Sequence, residues 1–91
     1  MYYTYVLESL VSGRYYIGQT SDLTQRLNRH NENMVIATKN RGPWKLLYSE
    51  CYPTRSEAMK REKYLKSLKN RQAIEQIVAQ SAESRRVGIN H

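Results

Sequence analysis

Two phenols, a guanidinium, an imidazole and a carboxylate stand where packing alone does not explain them: Tyr5, Tyr16, Arg26, His30 and Glu62. Tyr16 closes an apolar-aromatic run that ends in Tyr16-Ile17-Gly18. Arg26 and His30 are four residues apart, so on a helix their side chains share one face. Phenols and imidazoles orient water or pass protons, a guanidinium is a planar donor for phosphate oxygens, and a carboxylate holds a hard divalent ion. The first four read as one wall of an active site and Glu62, on a later helix, as the opposite wall. Such a set suits a metal-dependent nuclease module.

The elements that must position these groups follow from local pattern. Residues 2–8 are aromatic and β-branched and read as a strand, with Tyr3, Tyr5 and Leu7 on one face and Tyr2, Thr4 and Val6 on the other. Ser12-Gly13 is a turn signal, and residues 14–18 form the returning strand of an antiparallel hairpin. Ser21 is the expected N-cap of a helix over 22–30, with Leu23 and Leu27 as its apolar stripe. Residues 31–43 lack a period and end in Gly-Pro, which predicts a long loop. Lys39 and Arg41 on it can touch phosphates, or the stretch is a connector with solvated charges.

Alternation resumes over 44–52, with Trp44, Leu46, Tyr48 and Tyr52 on one face and Leu47 and Cys51 on the other. Apolar residues on both faces predict that this third strand is the central one. Thr54-Arg55-Ser56-Glu57 is a capping box for a helix reaching Leu68. Glu62 falls on the stripe of Ala58, Leu65 and Leu68, where a carboxylate is costly unless paired or bound to metal. Lys60, Arg61, Lys63, Lys66 and Lys69 flank it as a basic, nucleic-acid-binding surface. Asn70 is the expected cap of a last helix with Ile74, Ile77 and Val78 inward. The reading is one α/β (α+β) domain over 1–82, a three-stranded sheet flanked by three helices, followed by a disordered tail over 83–91.

Composition narrows the partners. A net charge of +7 on 91 residues favours an anionic partner, nucleic acid being the commonest. Eight Tyr with no Phe indicates rings whose polar ends are used. Cys51 is the only cysteine, so no intrachain disulfide forms. With no secretory pattern at the start and no apolar run long enough to span a bilayer, a cytoplasmic setting without a membrane partner is expected.

The order of Tyr5, Tyr16-Ile17-Gly18, Gln19-Thr20-Ser21-Asp22-Leu23-x-x-Arg26-Leu27-x-x-His30 and Ala58-x-x-x-Glu62-Lys63-x-Leu65-Lys66 resembles the GIY-YIG nuclease superfamily. Within it the chain most resembles the small stand-alone UPF0213 proteins, over roughly residues 2–78. The resemblance implies a DNA endonuclease, with RNA left open as a substrate, cutting with one Mg²⁺ or Mn²⁺ held by Glu62; a monomer is expected. It implies that Tyr5 and Tyr16 position or deprotonate the attacking water, that Arg26 meets the phosphate and that His30 assists proton transfer. Gly18 belongs to the motif as a structural residue. The first tripeptide is Tyr3-Thr4-Tyr5, and the family's late asparagine has no counterpart: Asn70 comes early and the aligned position is near Ile74. A non-catalytic nucleic-acid-binding module of the same fold, or a nuclease subunit targeted by a protein partner, are the alternative readings.

Overall fold

The computed structural model describes residues 1–89, with side chains through Ser81. Strand β1 (Tyr2–Ser9) turns back into β2 (Tyr15–Thr20), and helix α1 (Leu23–Asn31) follows. A single-turn 3₁₀ helix at Ile36–Thr38 interrupts the loop before strand β3 (Trp44–Tyr52), helix α2 (Arg55–Ser67) and helix α3 (Arg71–Ile89). Side chains from 82 onward and residues 90–91 altogether lie outside the described residues, and with them the expectation of a tail over 83–91.

The caps are local chemistry. Asp22, rather than the expected Ser21, caps α1: its extended backbone lets Oδ1 accept the Gln25 amide at 3.0 Å. Thr54 accepts the Glu57 amide at 3.3 Å, while the Glu57 carboxylate takes the Thr54 hydroxyl at 3.1 Å. Asn70 Oδ1 accepts the Gln72 amide at 2.9 Å and starts α3 as expected.

The sheet is antiparallel in the order β2-β1-β3, so β1 and not β3 is central. Thr4, Tyr5, Val6 and Leu7 are all buried, whereas β3 exposes Lys45, Leu46 and Cys51. Apolar residues on both sides of β3 have another cause. Val6 pairs with Tyr48 and Leu7 with Leu46, leaving Leu47 as the extra residue of a β-bulge. Before the bulge, Trp44 joins Tyr5 and Leu7 against Leu23 and Leu27 of α1. After it, Tyr48 joins Val6, Leu65 and Ile74 on the side of α2 and α3. The strict alternation expected across 44–52 therefore fails at Leu47. Period-two alternation does hold in β1, whose Tyr5 faces α1 while Thr4 donates to the Ala58 carbonyl of α2 at 2.7 Å.

On the α2 side a carboxylate ties the edge strand to the helix. Glu50 accepts hydroxyls from Tyr48 and from Tyr52, the latter at 2.6 Å. It also receives Arg61 through Nε at 2.8 Å and Nη2 at 3.1 Å. Burial pushes the Glu50 carboxyl up, but the donors from Arg61, Tyr48 and Tyr52 more than reverse this and leave it below the usual range. Burial and the same carboxylate push Tyr48 and Tyr52 up to about 12. Phe at either position would leave acceptor capacity on Glu50 unmet, which accounts for part of the preference for Tyr.

Because the folded Glu50 pKa is depressed, its contribution is present above its ordinary 4.5 and is lost as pH falls through the folded value. Glu50→Ala should cost about 1–3 kcal/mol at neutral pH by stranding the donors of three side chains, Tyr48, Tyr52 and Arg61. Urea denaturation should show the gap between wild type and variant narrowing in acid. A gap independent of pH would count against this role.

Candidate active site

In the hairpin register Tyr5 stands opposite Gly18. The ring crosses the space a side chain would fill: a Cβ on Gly18 would lie 2.5 Å from the Tyr5 hydroxyl oxygen and 2.7 Å from Cζ. It would also lie 3.1 Å from Cε2 of Tyr16. Gly18 is thus required by close approach, the structural role expected for it. Laid over Gly18, the Tyr5 hydroxyl reaches α1, where it is 3.0 Å from His30 Nε2 and accepts Arg26 Nε–H at 3.4 Å. The half-buried Tyr16 completes this wall, its ring centroid 4.9 Å from that of His30 and 6.4 Å from that of Tyr5. The four residues singled out in the sequence are together.

His30 is fully buried, not a solvated cation at a helix end. Burial and the neighbouring Arg26 charge lower it to about 4, so the ring is neutral at neutral pH. Its other nitrogen, Nδ1, is 2.7 Å from Thr38 Oγ1. Thr38 was not singled out in the sequence: a threonine in an aperiodic loop carries no signal. Burial raises the Tyr5 phenol, the Arg26 hydrogen bond opposes that, and Tyr16 adds to the rise. The Tyr5 hydrogen bond in turn raises Arg26.

Glu62 lies on α2, partly exposed, and its charge also raises the Tyr5 phenol. Lys66 Nζ meets Glu62 Oε2 at 2.7 Å, an i,i+4 ion pair along α2. Among the described residues no three His, Cys, Asp or Glu side chains group as a protein cage for metal. The oxygen donor offered is instead one hard carboxylate, Glu62, near enough for its charge to act on the Tyr5 phenol. That fits Mg²⁺ or Mn²⁺, which keep much of their water and take few protein ligands.

The basic residues divide. Lys60, Lys63, Lys66 and Lys69 are exposed on α2 and just beyond it, and Arg55, Lys60 and Lys63 line a shallow depression there. Arg61, expected on the solvated flank, is turned onto the partly buried Glu50 carboxylate, with which it forms an ion pair. Lys39 and Arg41 are exposed on the loop. Arg41 borders a cleft of about 500 Å³ that also includes Tyr16, Thr38, Asn40, Arg14 and Trp44. That loop is more than a connector. Ser9 Oγ donates to the Arg41 carbonyl at 2.8 Å, Asn40 N to Asn33 Oδ1 at 2.9 Å, and Trp44 N to Asn31 Oδ1 at 2.7 Å. Asn70 is spent on its cap, and Ile74, near the family asparagine's place, is buried in apolar surroundings.

The model of the GIY-YIG catalytic domain matches residues 1–75. A UPF0213 protein of Bacillus licheniformis is 37% identical over 91 residues, covering 99% of this chain and 89% of its own. One of Streptococcus agalactiae is 46% identical over 72 residues, covering 78% and 80%. The solution NMR structure of a UPF0213 protein from Bacillus halodurans superposes with a TM-score of 0.55 at 34% identity, covering 87% of this chain and 84% of that one.

Two outcomes follow from this geometry. The His30 imidazole, followed by NMR, should titrate near 4 rather than 6.5. The unfolded chain then takes up the proton first, so stability from this group is intact above about pH 6.5 and declines toward pH 4. A His30 titration near its ordinary value would contradict the buried network. Gly18→Ala should cost about 1–3 kcal/mol through overpacking. It should also perturb the His30 resonances as Tyr5 is displaced; unchanged resonances would refute the close-approach account.

Proposed function

The chain belongs to the GIY-YIG catalytic domain family, and from that premise we propose that it is a divalent-metal-dependent DNA endonuclease, structure-directed or weakly sequence-specific. The observation that carries this reading is the convergence of Tyr5, Tyr16, Arg26 and His30 at one sheet face and one helix. Hydrolysis adds water across a P–O ester bond, so the site must hold phosphate, aim water and stabilise developing charge.

Arg26 suits the phosphate. Its Nε is spent on Tyr5, and among the described residues none of the ion pairs engages its guanidinium. The remaining donors keep the planar fork that matches phosphate oxygens. Of the two phenols, Tyr5 is buried, disposed by its raised pKa to keep its proton, and hydrogen-bonded at both its partners. Tyr16 is half-exposed and is the phenol that orients the attacking water. Tyr5 and His30 stand behind it and hold Arg26 in place. Glu62 would hold the ion, and the ion when bound supplies charge neutralisation at the phosphate. Lys60, Lys63 and Lys69 carry the flanking phosphates.

One observation favours a second reading, binding without cleavage: the position near the family asparagine is a buried isoleucine, with no polar group to support the ion. A single assay separates the two. Branched, flapped and single-stranded DNA would be incubated with Mg²⁺ or Mn²⁺ and wild type, Arg26→Ala or Glu62→Ala. Cleavage by wild type should fall at least about a hundredfold in either variant. Equal cleavage by all three would sink the nuclease reading. Binding by all three with no cleavage by any would establish the second.

A further inference from the structure

We propose that Thr38 is a positioning residue of this site: its hydroxyl fixes the His30 proton on Nδ1 and thereby turns the Nε2 lone pair toward the Tyr5 hydroxyl. A hydroxyl has one proton to give and lone pairs to receive with. The Thr38 hydroxyl is buried and donates to the Val35 carbonyl at 3.4 Å. With that proton turned to Val35, its oxygen is free to accept in the 2.7 Å contact with His30 Nδ1, which in the proposed tautomer carries the hydrogen. A neutral imidazole has only one N–H, so Nε2 is an acceptor. The 3.0 Å contact then runs from the Tyr5 hydroxyl to Nε2, and the Tyr5 oxygen is left to accept Arg26 Nε–H at 3.4 Å.

Every donor in this chain points one way, from Arg26 through Tyr5, His30 and Thr38 to the Val35 carbonyl. In the opposite tautomer Nε2–H would aim at an oxygen already facing Arg26 Nε–H. The Tyr5 proton would lose its acceptor, and the Thr38 hydroxyl would be drawn from Val35 to Nδ1. The loop is built to hold Thr38 where this choice is made. Its carbonyl receives Arg41 N at 3.1 Å and Trp44 Nε1 at 3.4 Å, so the 3₁₀ turn is anchored to the start of β3. The long loop thus sets the orientation of Arg26, the phosphate-binding group, through three successive hydrogen bonds. The groups facing His30 are Tyr5 from β1, Tyr16 from β2, Arg26 from its own helix and Thr38 from the loop; none is a carboxylate that would favour the imidazolium.

This inference rests on the nuclease reading for its catalytic meaning, but its test does not. The full chain, labelled with ¹⁵N and free of nucleic acid, would be read at neutral pH by two-bond couplings of the imidazole nitrogens. Wild type should show His30 protonated on Nδ1. Thr38→Val, isosteric but without the hydroxyl, should shift the ring toward the Nε2–H form, and Thr38→Ser should restore it. Cleavage turnover should fall roughly ten- to a hundredfold in Thr38→Val and recover in Thr38→Ser, with KM little changed. Wild-type His30 protonated on Nε2, or a Thr38→Val ring still wholly Nδ1–H, would overturn the proposal. If Thr38→Val fails to fold, the wild-type tautomer and Thr38→Ser still decide it. The expected tautomers with no DNA cleavage by wild type would uphold the positioning role and defeat the nuclease reading alone.

Discussion

The Tyr5 hydroxyl, passing over Gly18 to lie between Arg26 and His30, is the contact on which the candidate site depends. It links the central strand to α1, and it exists because the residue opposite Tyr5 has no side chain. Tyr5 is also core: its ring is buried with Leu7 and Trp44, so packing and polar chemistry are satisfied by one residue. A buried phenol must find partners for its oxygen, and here those partners are the groups that the chemistry needs. Among the described residues no buried side-chain polar atom lacks a hydrogen-bond partner, so fold and network are consistent with one another.

The two faces of the sheet divide the work. The α1 face holds a chain of neutral and cationic donors that orient one another. The opposite face holds the Glu50 cluster, in which a carboxylate is surrounded by two phenols and Arg61. The first uses tyrosine to present a hydroxyl to a site, the second to satisfy a partly buried charge. Both uses stand behind a composition with eight tyrosines and no phenylalanine.

Much of this was legible in the sequence, for physical reasons. Tyr5, Tyr16, Arg26 and His30 were readable because their types and order resemble the GIY-YIG motif, while i,i+4 spacing puts Arg26 and His30 on one helix face and alternation gives Tyr5 its side of the strand. The helices at 55–67 and from 71 were readable because Thr54 and Asn70 announce them. What was not legible depends on tertiary choices. Strand order placed β1 in the centre, and local pattern does not encode it. The bulge at Leu47 turned one expected face into two, since alternation assumes an unbroken register. Arg61 looked like its lysine neighbours until Glu50 was seen opposite it. Thr38 enters the site from a loop whose conformation is set by scattered side-chain to backbone bonds rather than by any period.

The extra residue in β3 has a consequence for how this chain can change over time. Midway along, the strand exchanges the half of the molecule it serves, giving Trp44 to one and Tyr48 to the other. Deleting Leu47 itself would only restore the regular ladder, with Leu46 still opposite Leu7 and Tyr48 still opposite Val6, whereas losing a residue elsewhere in the strand would reverse the phase of everything beyond it. The third strand therefore has one position at which its length can change without exchanging its faces, and that position is the bulge.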